Sequence, residues 1–144
     1  MEPFEFKPHT VDVLFEAHGF TFEQALEHAA LAMFTTIAEV HKVHGEARIA
    51  IEEKAETLEE LVAYTLGDLL SELDSREMFF NSFKVTAFKQ TAAGLELKGY
   101  ATGGDATPEL GGTVVKAVTH HEIKVEKQEH DGREQWVIRV LLDI

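Results

Sequence analysis

Only two stretches of this chain carry helical periodicity, and most of the remainder alternates apolar with polar residues. That combination limits the fold more than any other feature. Alternating segments call for a sheet with one covered face, and two amphipathic helices can supply the cover. Both helices signal their starts alike, since Thr21-Phe22-Glu23-Gln24 and Thr57-Leu58-Glu59-Glu60 have capping-box spacing. Behind Thr21, Ala25, Ala29, Met33, Ile37 and Val40 fall on one side, widened by Leu26, Ala30 and Phe34. This helix is predicted to run to about His41, with Gly45 closing the segment. Behind Thr57 the stripe is Leu58, Leu61, Val62, Thr65, Leu66, Leu69, Leu70 and Leu73, and Asp74-Ser75-Arg76 ends it.

The other segments read as strands. Phe4-Glu5-Phe6 is short. Val11, Val13 and Phe15 point one way, and Asp12, Leu14 and Glu16 the other. Ala47 to Ile51 lies between the helices. Phe83 to Lys89 and Gly94 to Tyr100 form a hairpin around Ala92-Ala93-Gly94. Ile123 to Glu126 and Trp136 to Leu142 form another, turned at Asp131-Gly132. Thr102 to Gly112, rich in glycine, is predicted as a long loop. Without regular βαβ alternation the class is α+β: two helices packed on one face of a mainly antiparallel β-sheet, in a single domain spanning residues 1–144.

Composition removes several functions. The chain has no cysteine, so disulfides, thiolate metal sites and a cysteine nucleophile drop out. Its formal net charge of −13 argues against gripping nucleic acid by phosphate neutralisation. No apolar run reaches the roughly 18 residues that span a membrane. Met1-Glu2-Pro3-Phe4-Glu5 lacks the basic start and apolar block of a signal peptide, so a soluble cytoplasmic protein is expected.

Asp12 stands among apolar neighbours. It is either a strand-edge carboxylate facing water or a cation ligand, because a carboxylate in a low-dielectric setting needs a cation or a donor. Near the other end of the sequence, the Asp143 side chain and the main-chain carboxylate of Ile144 lie one residue apart. They are either a frayed strand end or part of a hard-cation site. Spacing alone does not bring Asp12 to Asp143. Lys116 interrupts the apolar run Val114 to Thr119, as an outward strand position or as a partner to an acidic site. Eight histidines include His41-x-x-His44 and the pair His120-His121, but no third ligand has zinc-site spacing. Phosphate-loop, dinucleotide-binding and nucleophile-elbow motifs are absent, and none of the three serines has a histidine within three residues.

Four blocks taken in order resemble the archease family. His9-Thr10-Val11-Asp12-Val13 is similar to its H-T-A-D-[IV] motif, and Thr21 to Phe34 to its first helix. Val115-Lys116-Ala117-Val118-Thr119-His120-His121 is similar to its V-K-A-x-T-Y-H block, and Leu142-Asp143-Ile144 to its terminal aspartate with an aliphatic residue. Val11 replaces the usual alanine and His120 the usual tyrosine. The resemblance implies a small α+β domain in the cytoplasm that is not itself an enzyme. It implies a transient protein partner, the RtcB-type RNA ligase, which joins RNA ends through a histidine–GMP intermediate. The archease-like protein would promote guanylylation and turnover in tRNA splicing and RNA repair, without strong nucleic-acid binding of its own. The family's divalent-cation site, assigned to calcium, maps onto Asp12, Asp143 and Ile144. His9, Lys116 and His121 fall within matching blocks as further functional candidates. Two other classes stand beside this one: a chaperone or modulator of RNA-modifying enzymes, and a divalent-metal phosphoesterase.

Overall fold

Each helix starts at its expected threonine. Thr21 Oγ1 accepts the Gln24 N–H at 3.0 Å and Gln24 Oε1 accepts the Phe20 N–H at 2.7 Å, opening α1 (Phe22–Ile37). Thr57 Oγ1 accepts the Glu60 N–H, and Glu60 Oε1 accepts the N–H groups of Thr57 and Glu56, all at 3.1 Å. That complete box opens α2 (Leu58–Arg76). The computed structural model describes residues 1–9 and 12–144. Thr10 and Val11, the centre of the first matching block, lie outside the described residues, and so does the expected alignment of Val11 with Val13 and Phe15.

The strands are β1 (Phe4–Lys7), β2 (Val13–Gly19), β3 (Ala47–Ala55), β4 (Met78–Thr91), β5 (Gly94–Asp105), β6 (Ala117–Val118), β7 (Lys124–His130) and β8 (Arg133–Asp143). All named pairings are antiparallel. The α+β class holds, with the strands divided between two sheets. In one, β1, β2 and β8 follow in order, and β6 and β7 share the far edge of β8. In the other the order is β3-β5-β4. Both helices pack against strands of both sheets. Phe22, at the start of α1, joins them: its ring lies 5.1 Å from Phe88 on β4 and 6.0 Å from Trp136 on β8. Phe15, Met33, Phe34, Leu66, Phe80 and Ile138 are among the most deeply buried side chains.

Two boundaries differ from expectation. α1 stops at Ile37, short of His41. Ala38 turns extended and bridges to Gly111, while the Gly112 and Thr113 N–H groups take the carbonyls of Ile37 and Thr36 at 2.7 and 3.0 Å. A distant segment therefore satisfies the orphan carbonyls of the last turn. Second, the expected loop from Thr102 begins only after Asp105, because Thr102 to Asp105 continue β5. Gly103 and Gly104 pair with Phe80 and Phe79. A Cβ on Gly103 would strike the Phe79 carbonyl, and one on Gly104 the His44 carbonyl. These glycines permit close backbone approach. At the tip between β7 and β8, Asp131 (φ 53°) and Gly132 (φ 74°) make the two-residue turn the sequence predicts.

Along β2 and β8, Phe15, Ala17, Ile138, Val140 and Leu142 enter the core. Leu14, Glu16 and His18, with Val137, Arg139 and Leu141, take the opposite face by strand alternation.

Candidate functional site

The site is built by strand register. The last pair of β2 with β8 is Val13 opposite Leu142. One residue further on each chain stand Asp12 and Asp143, two positions far apart in sequence. A third segment closes the far side of β8: Ala117 pairs with Asp143 and Val118 with Leu142. The Lys116 N–H donates to the Asp143 carbonyl at 2.7 Å, and the Thr119 N–H to the Leu141 carbonyl at 3.0 Å. Ile144 packs its half-buried side chain against the core, which fixes its main chain beside Asp143.

Asp12 is half-buried and Asp143 exposed. Like charges at facing strand positions destabilise the pairing. Among the described residues neither carboxylate has an ion-pair partner. An all-oxygen set of this kind suits a hard cation such as Ca²⁺, whose flexible shell accepts water alongside carboxylates. Among the described residues no three His, Asp or Glu side chains group closely enough to hold a metal.

The other candidates lie around this end or away from it. Lys116 contributes its backbone N–H, while its side chain is exposed. His9 is exposed. His120 and His121 occupy a one-turn 3-10 helix (His120–Glu122). Both are exposed, and His120 meets Tyr64 edge-on at 6.2 Å. Within the apolar run Val114 to Thr119 only Ala117–Val118 form a strand, and Lys116 lies just before it. His41 lies in a 3-10 turn (Val40–Lys42) and His44 just beyond it, both exposed.

One ionisable residue escaped the sequence reading. Glu53 continues the Ile49-Ile51 side of β3 and faces Asp68 of α2. Burial first, then the hydrogen bond with Asp68 and the charge of that carboxylate, push the Glu53 carboxyl up to about 8. Its Oε2 is buried without a partner. The alternation of β3 carried the signal, since Glu53 sits where a buried residue belongs.

The Archease protein family (MTH1598/TM1083) matches residues 4–144, from β1 through Ile144. The chain belongs to the archease family. The "Protein archease" of Sulfolobus acidocaldarius and that of Pyrococcus furiosus are each 36% identical, with 100% of both chains covered. That of Methanosarcina mazei is 33% identical over 98% of this chain and 95% of its own. The solution structure of Methanobacterium thermoautotrophicum protein 1598 superposes with a TM-score of 0.82 at 31% identity, covering both chains fully. The family match spans Asp12 just before β2 and Asp143 at the end of β8, as well as the Lys116 to His121 segment beside them. Among the described residues no helix is long and apolar enough to cross a membrane.

Proposed function

We propose that the protein is a cytoplasmic cofactor of an RtcB-type RNA ligase, promoting its guanylylation and multiple turnover in tRNA splicing and RNA repair. In this reading it performs no catalysis of its own. A divalent cation, Ca²⁺ by donor chemistry, is held by Asp12, Asp143 and the Ile144 main-chain carboxylate. The observation that carries the reading is the strand register that brings Asp12 and Asp143 to one end of the sheet, where the Lys116 segment braces β8. The cation offsets the repulsion between the carboxylates and fixes the end of the sheet as a rigid docking element. A ligase site that holds GTP and RNA ends is basic, and a chain of charge −13 is drawn to it. Binding works by favouring the ligase conformation competent for GMP transfer. It is transient, because RNA must take the same place.

The test is single-turnover GMP transfer onto the cognate ligase, with and without this protein. Wild type should accelerate transfer, and Asp12→Ala or Asp143→Ala should lower the acceleration by about tenfold or more, equivalent to 1.4 kcal/mol. Both variants must retain a cooperative unfolding transition. Undiminished stimulation by both would reject the cation end as the active element. Turnover of a phosphoester panel by the protein alone would instead favour the phosphoesterase class.

A further inference from the structure

The outer face of α2 holds a glycine that the fold does not use. Gly67 sits in mid-helix, where glycine is a poor helix former. Its φ is not positive, and a Cβ built on it meets nothing within 4 Å. On the same face, by helical spacing, stand Glu60, Tyr64, Ser71 and Asp74. Tyr64 meets His120 edge-on along one side and leaves 39% of its surface exposed.

Alongside the helix runs the segment that braces β8. Between its Gly111 to Val115 stretch and Leu70, Leu73 and Asp74 lies an apolar groove of about 140 Å³. Val114 stands at its rim, 76% exposed. The charge of the helix is one-sided. α2 carries Glu59, Glu60, Asp68, Glu72 and Asp74 against one basic residue, Arg76, which is already bonded to Glu72. Beyond Val114 the same segment reaches Lys116 and its bond to the Asp143 carbonyl, so this face is continuous with the carboxylate end.

We propose that the outer face of α2, with the groove beside Val114, is a second docking surface for the ligase. It takes an amphipathic segment of that partner, with an apolar side chain in the groove and flanking Lys or Arg residues against Glu60 and Asp74. Gly67 lets the segment approach the helix backbone, and Tyr64 offers its ring to an arginine. The identity of the partner rests on the functional reading above, whereas the location of the surface does not.

The experiment measures binding of the cognate ligase to wild type, Gly67→Gln and Tyr64→Ala, with thermal unfolding of each. The Gln side chain points into open space, so Gly67→Gln should melt at or above the wild-type temperature. Both variants should weaken binding by about tenfold or more, and wild-type affinity should fall with added salt. If wild type binds and Gly67→Gln binds equally well, the surface is wrong while the functional reading stands. If wild type neither binds nor stimulates the ligase, both fall. If wild type dimerises and Gly67→Gln renders it monomeric, the face belongs to self-association and the proposal is overturned.

Discussion

At Glu53 the alternation of β3 sets a carboxyl on the side that Ile49 and Ile51 bury. An unfolded Glu53 ionises near 4.5, while in the folded protein it holds its proton up to about 8. Between those values the folded state binds more protons than the unfolded state. This contribution to stability therefore falls as pH rises through the window, and the cost is complete only above about 8. Glu53→Gln removes the titration and keeps a donor for Asp68. The variant should match wild type at pH 4.5 and exceed it progressively, by on the order of 1 kcal/mol at pH 9 once solvent screening is allowed for. Urea unfolding at a series of pH values reads this directly. A difference that stays constant with pH would show that the pair does not titrate in this range.

Within single elements, the helix starts and the crossing of the second sheet give opposite lessons. Thr57→Ala removes one half of a reciprocal cap and should cost about 1 kcal/mol, with a smaller loss of helix signal than of stability. Gly103→Ala forces a Cβ into the Phe79 carbonyl and should cost about 3 kcal/mol in chemical denaturation, more than any cap substitution. Yet Thr57 was legible in the sequence and Gly103 was misread as a loop residue. A cap is written in four consecutive residues, whereas a Gly-Gly pair looks the same in a turn and in a tight strand crossing. The end of α1 was hidden for a related reason, because Gly111 to Thr113, far along the chain, set it. Alternation showed which segments are strands and which side of each is apolar. It held no signal for which of two sheets a strand joins. The candidate site divides in the same way. Asp12 is marked by its apolar neighbours and Asp143 by the carboxylate one residue on, but only the register of β2 with β8 sets the two at one end of the sheet.

For the whole molecule, 26 acidic residues against 13 basic ones mean that any approach to a partner begins in a strong negative field. The paired lysines on β1, β3 and β5 are already committed: Lys7 to Glu5 and Glu16, Lys54 to Glu96, Lys98 to Glu52. Those pairs are exposed or half-buried and add little to stability, but they leave fewer cations to offset the field of α2. Long-range attraction of this kind acts on encounter more than on the lifetime of the docked state. The association rate with a basic ligase surface should therefore fall by about tenfold or more between low and high ionic strength, while the dissociation rate changes by a factor of about two or less. Single-stranded RNA should compete without binding this protein, since it would be repelled by the same field that draws the ligase in. Stopped-flow association at several salt concentrations separates the two rates. If salt instead acts mainly on dissociation, charge complementarity sets the lifetime of the complex rather than its speed of assembly.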